Sequence, residues 1–422
     1  LAGFLEKYPA SPFKKEIQEL QIDSYITSKN YTEALVLLEK NKSPENRAAY
    51  QKVTFYRGME VFTDGKYQEA LALFRKSIAE PRDPRITARA TYWQGETQYV
   101  LDQFSDALIS YKQFLGYSEA ATTPEFKNVN YNIAYAYFKQ KDYDKAAKSF
   151  GEYVASSFAK EDKLRLNDAY LRLGDSQFVS AKYWPAMEAY NKAIEMNGID
   201  ADYALFQKAI SYGFVQRNEK KIEDLTNFIA RFPKSKYADD ALYELGNTYV
   251  TQKQGNEAIK AYERLIAEYK SSSYISKAMM REALIYYNSE QEEKALAKFK
   301  EVVAKFPNTP ESIEAVQTAR NIYVDTGRTD EYATWVKTLG FVDVTDSDLD
   351  NTAFEAAEKQ YMQNNTKGAI TSLSSYVSKF PNGISALKAN FYLAQSYYND
   401  GLENNSVPHY EYVINAPPVS YT

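Results

Sequence analysis

Residues 241–269 read ALYELGNTYVTQKQGNEAIKAYERLIAEY, and the spacing inside that stretch decides the fold. Gly246 is followed twelve positions later by Ala258, and four later again by Tyr262. Leu242, Leu245, Tyr249 and Val250 fall at helical spacing around Gly246, which predicts an amphipathic helix. Gln254-Gly255-Asn256 then interrupts the pattern, and Glu257 to Tyr269 carries a second amphipathic run. The small residues at 246 and 258 let two antiparallel helices approach closely. A bulky side chain at either place would overpack the contact, at a cost of roughly 1–3 kcal/mol.

The same offsets recur at Gly58/Ala70/Phe74, Gly95/Ala107/Tyr111, Ala134/Ala146/Phe150, Gly174/Ala186/Tyr190, Ala283/Ala295/Phe299 and Ala357/Ala369/Leu373. Weaker copies stand at Ile22/Ala34/Leu38, Ala209/Lys221/Leu225, Arg320/Tyr332/Val336 and Ala394/Ser406/Tyr410. The steps between first members are 36, 37, 39, 40 and 35, then five of 37. One helix pair cannot bury its apolar face alone, whereas stacked neighbours can. The expectation is an all-α protein: an α-solenoid of about eleven stacked helix-turn-helix repeats running continuously over residues 1–422. Repeats at about 200–230 and 310–345 are weak, and 388–422 is a partial terminal repeat. The chain opens on Leu1, and Pro417 to Thr422 do not resemble a natural stop, so a piece of a longer protein is expected.

Composition narrows the function. There is no cysteine, so disulfides, zinc-thiolate centres and thiol nucleophiles are excluded together. The single histidine, His409, leaves no His-rich metal centre and makes a Ser-His-Asp triad improbable. A net charge of −5 argues against a broad nucleic-acid surface, which needs clustered Lys and Arg. No run approaches the ~18 apolar residues of a membrane helix. Asp346-Ser347-Asp348-Leu349-Asp350 has the alternating carboxylates of a calcium loop. It lacks that loop's glycine (Asn351) and its bidentate Glu (Ala357), so it reads as a linker with Asp350 or Asn351 capping the next helix. No metal, cofactor or catalytic group is expected.

The pattern resembles the tetratricopeptide repeat, a helix-turn-helix unit of about 34 residues. Residues 130–150, NYNIAYAYFKQKDYDKAAKSF, carry its signature at Ile133, Ala134, Tyr137, Tyr143, Ala146 and Phe150, and the resemblance runs from about Ser11 to Tyr410. It implies a right-handed superhelix, a non-enzymatic scaffold, and a peptide or protein partner on the concave face of the first helices. The junction FPKSKYADDALYELG (Phe232 to Gly246) recurs as FPNGISALKANFYLA (Phe380 to Ala394). Such aromatic-Pro junctions are similar to those of Gram-negative cell-envelope proteins, the outer-membrane assembly lipoproteins and the Tol-associated periplasmic coordinator. That likeness implies a periplasmic or outer-membrane-associated setting. The alternative is a structural spacer or self-association module for a domain outside this chain.

Positions three before and four after each small residue share one helix face. They read Phe55/Phe62, Tyr92/Tyr99, Tyr131/Phe138, Leu171/Phe178, Tyr243/Val250, Met280/Tyr287, Phe354/Tyr361 and Phe391/Tyr398. Two readings stay open: an aromatic stripe lining a peptide groove, or rings packed between repeats. Many of the 38 tyrosines stand at repeat positions, so the surplus is first a repeat signature.

Overall fold

Each of the eleven first members lies on the first helix of a helix pair, and each second member lies on the partner helix. The pairs run from Lys14–Thr27 with Tyr31–Lys40 to Ala386–Asn399 with Glu403–Ile414, and a short helix, Ala2–Lys7, precedes them. The computed structural model describes residues 2–416 apart from 42 and 199; Pro417 to Thr422 lie outside the described residues. Among the described residues there is no strand, and no helix is long and apolar enough to cross a membrane. The chain forms two compact units, one up to Asp224 and one from Leu225. The division falls inside Asn218–Arg231, the second helix of the weak copy at Ala209.

The turns explain why even the weak copies hold their register. Seven residues after every small position the backbone is left-handed, with φ between 55° and 77°. Gly65, Gly327, Gly401, Asn364 and Asp102 suit that conformation, whereas Lys29, Lys141, Ala181, Gln216, Lys253 and Glu290 adopt it against their own preference. The next N–H returns to the carbonyl five residues back, as from Lys66 to Val61 at 2.9 Å and from Gln254 to Tyr249 at 2.8 Å. This is the helix-ending bond that satisfies an orphan carbonyl. The weak copies make it too, from Arg217 to Tyr212 at 2.9 Å and from Arg328 to Tyr323 at 2.8 Å.

Within six of the pairs a ring sixteen residues on from the small position fills the contact. Phe74, Tyr111, Phe150, Tyr190, Tyr262 and Phe299 are all buried. A Cβ added at Gly58 would lie 2.7 Å from the ring of Phe74, at Gly95 2.8 Å from Tyr111, and at Gly174 2.6 Å from Tyr190. Where the ring is Tyr111, Tyr190 or Tyr262, the residue after the glycine accepts its hydroxyl: Glu96 at 2.6 Å, Asp175 at 2.9 Å and Asn247 at 2.8 Å. Where the ring is Phe74, Phe150 or Phe299, that residue is Met59, Tyr135 or Leu284. Glycine, acceptor and tyrosine therefore act as one packing unit.

The Asp346 segment departs from the expected linker. Helix Asp346–Met362 starts there, capped by Thr345, whose hydroxyl accepts the Asp348 N–H at 3.1 Å. Asp350 is buried in the helix and accepts the Tyr376 hydroxyl and the Ile384 N–H, so it braces the following repeat and caps nothing at its own start.

Candidate functional site

The two longest steps of the repeat, 39 and 40 residues, come from extra chain between helix pairs. The 116–128 segment, with short 3-10 turns at Ala120–Thr122 and Phe126–Asn128, separates Phe104–Leu115 from Val129–Lys139. Ser157–Glu161 does the same before Lys163–Val179. The first insertion is pinned to helix Pro84–Val100 by one carboxylate. Glu125 accepts the Arg89 Nε at 2.9 Å and the Trp93 indole N–H at 3.0 Å, and is itself buried.

Between this loop and the first helices of two neighbouring repeats lies a cleft of about 720 Å³ in the first unit. Helix Pro84–Val100 contributes Tyr92, Glu96 and Tyr99, and helix Val129–Lys139 contributes Tyr131, Asn132 and Tyr135. Arg165, from the next first helix, also borders it; its guanidinium lies over the Tyr131 ring at 5.3 Å and donates to Asn128 Oδ1 at 2.6 Å.

The polar groups in and beside the cleft form two hydrogen-bonded networks. The Tyr111 hydroxyl donates to Glu96, and the Asn132 amide donates both to the Tyr92 hydroxyl, at 2.8 Å, and to the Glu96 carboxylate. Burial pushes the Glu96 carboxyl above its ordinary range, against the opposing pull of these donors and of the Arg165 charge. Further along, the Tyr131 hydroxyl donates to Asp168 at 2.8 Å and Tyr135 donates to the same oxygen. Burial, with that carboxylate beside it, pushes the Tyr135 hydroxyl up to about 12. Arg172 joins Asp168 to Asp175, which also takes the hydroxyls of Tyr190 and Tyr203. Fixed hydroxyls and half-buried rings thus stand on the first helices of these repeats.

Of the residues expected on the aromatic stripe, the cleft brings together Tyr92, Tyr99 and Tyr131. Phe55 and Phe354 are core residues instead: Phe55 has no exposed surface and packs on Phe74, and Phe354 packs edge-on against Tyr376. In these two copies the position three before the small residue faces the partner helix of its own pair, which covers the ring. Leu171 and Met280 are buried in the same way. Phe62, Phe138 and Phe178 are half-buried against the aromatic that opens the second helix, Tyr67, Tyr143 and Tyr183, at 5.3–5.5 Å. In the second unit Tyr243 stacks on Tyr274 and Tyr361 on Tyr392, and Tyr287 lies against the core. Phe391 and Tyr398 are exposed, as is Val250. The stripe is therefore not one surface: the structure divides it between core, repeat packing and the cleft.

Sequence reasoning did not single out Arg89, Trp93, Glu96, Glu125, Asn132, Tyr135 and Arg165. The signal was available in the period, because the copy that lengthens to 39 residues is the one whose insertion walls the cleft.

Protein-family models described as tetratricopeptide repeat match residues 94–162, 240–272 and 277–309. No curated protein matches the chain. Among solved structures, a tetratricopeptide repeat protein from Parabacteroides merdae is 15% identical with a TM-score of 0.39, over 64% of this chain and 98% of that one. The apo form of RapI is 12% identical with a TM-score of 0.45, over 92% and 98% of the two chains. YrrB, described as a TPR protein with an unusual peptide-binding site, is 18% identical with a TM-score of 0.37, over 49% and 96%.

Proposed function

We propose that this chain, with tetratricopeptide repeats matched at residues 94–162, 240–272 and 277–309, is a non-enzymatic scaffold that holds an extended peptide segment of a partner protein. The observation that carries this reading is the cleft in the first unit, where rings and fixed hydrogen-bonding groups face one open volume. Rigid aromatic walls suit a peptide, because stacking and apolar contact lose little side-chain freedom. Polar groups already held by neighbours give register at little further ordering cost. The mechanism is geometric: the scaffold presents the partner and performs no chemistry on it. The aromatic-Pro junctions at Phe232 and Phe380 support a setting at a Gram-negative cell envelope.

Tyr99 and Tyr131 carry the test, because both line the cleft and neither is fully buried. Tyr99→Ala and Tyr131→Ala are each expected to weaken a bound peptide about 10–100-fold, as loss of an aromatic anchor does. Tyr398→Ala, on the exposed surface of the second unit, is expected to leave affinity unchanged. Calorimetric titration of folded variants decides it. Equal affinity in all three would overturn the assignment of the cleft.

A further inference from the structure

The residue after the small glycine occurs three times as the acceptor for a buried tyrosine, and the three copies differ in charge. Asn247 is neutral and performs the task for Tyr262. Asp175 is charged, and Arg172 Nη1 pairs with it at 2.7 Å. Glu96 is charged and, among the described residues, its hydrogen-bond donors are the neutral Tyr111 and Asn132. Packing does not require a carboxylate there, since the amide of Asn247 does the same work. A half-buried carboxylate with no cation bonded to it, and only the charge of Arg165 acting from farther away, is costly. The copy that bears this cost is also the one that lines the cleft.

The nearby cations are committed elsewhere. Arg89 is held by Glu125 at 2.9 Å, Lys127 by Glu161 at 3.2 Å, and Arg165 by Asn128 at 2.6 Å and Asp162 at 3.5 Å. Of the other acids nearby, Glu125 takes Arg89 and Trp93, and Asp168 takes Tyr131, Tyr135 and Arg172. Tyr92 and Tyr99 on the helix of Glu96, Tyr111 on the next helix, and Tyr131 and Tyr135 on Val129–Lys139 complete its titratable surroundings. A carboxylate among ring faces is the setting that recognises a cationic group.

We propose that the cleft takes a basic side chain of the bound peptide, a lysine ammonium or an arginine guanidinium, with Glu96 as its counter-charge and the tyrosine rings beside it. This rests on the peptide-binding reading above and adds the chemistry of one subsite. A cation favours the ionised carboxylate, so binding tightens as pH rises through the Glu96 titration, which burial has moved upward.

The test is a selection of phage-displayed random heptapeptides on the full chain and on Glu96→Gln, followed by titration of the synthetic peptides. Gln keeps an amide oxygen for Tyr111, as Asn247 does for Tyr262, so the variant is expected to fold with an unchanged melting curve. Peptides selected on the native chain are expected to share Lys or Arg at one position. Replacing that residue by norleucine or citrulline, or Glu96 by Gln, should each weaken binding about 10-fold or more, without adding when combined. Affinity of the native chain should fall as pH drops through the Glu96 titration, which burial places above the ordinary carboxylate range, while that of the variant stays flat. Peptides that lack a basic residue, or bind Glu96→Gln equally well, would overturn the cationic subsite and leave the peptide-binding reading standing. Enrichment of no peptide would overturn both.

Discussion

Replacing Tyr190 by alanine is expected to destabilise the first unit by about 3–5 kcal/mol, the range for deleting a large buried ring. The side chain is 1% exposed and occupies the space a Cβ at Gly174 would need, and its hydroxyl donates to Asp175. Truncation would empty the contact between Lys163–Val179 and Tyr183–Glu195, helices held together by this ring. The effect should exceed that of Tyr190→Phe, which keeps the ring and loses only the hydroxyl. Asp175 would still be served by Tyr203 and Arg172, so the phenylalanine variant should lose about 1 kcal/mol. Urea denaturation followed by circular dichroism measures both. Equal losses in the two variants would contradict the ring's role as the spacer-filling group.

Gly174→Val should be destabilising for the converse reason. A Cβ at 174 would sit 2.6 Å from the Tyr190 ring, which is buried and tied at its hydroxyl, so neither partner can retreat. The cost is expected near the top of the roughly 1–3 kcal/mol range of overpacked contacts. Gly151→Ala provides the opposite sign. Gly151 lies within helix Tyr143–Ala155, and an added Cβ there meets nothing within 4 Å. That substitution should stabilise by about 0.5–1 kcal/mol, the helix-propensity difference alone. If Gly174→Val were neutral, the close approach of the helices would not depend on the missing side chain.

The helices were legible in the sequence because the small residue, the second small residue and the ring recur at fixed offsets. All eleven pairs form where those offsets fall. The turns were only partly legible: Gly65 and Asn364 advertise a left-handed residue, but Lys29, Gln216 and Glu290 do not, and their φ is imposed by the packing of the helices on either side. The stripe was harder to read. Helical periodicity states that Phe55 and Phe62 share a face, yet not which element covers it, and the partner helix covers Phe55. Glu96 and Glu125 were invisible as site residues for another reason: one comes from a packing motif and the other from an insertion outside the repeat. Their meeting depends on three-dimensional closure of the loop on Arg89 and Trp93.

Hydrogen exchange on the full chain, with and without a selected peptide, tests the central claim most directly. The account expects added protection in the first unit, confined to helix Pro84–Val100, the 116–128 loop and helix Val129–Lys139, the elements that wall the cleft. Protection confined to residues beyond Leu225, or none along the cleft when peptide is bound, would contradict it.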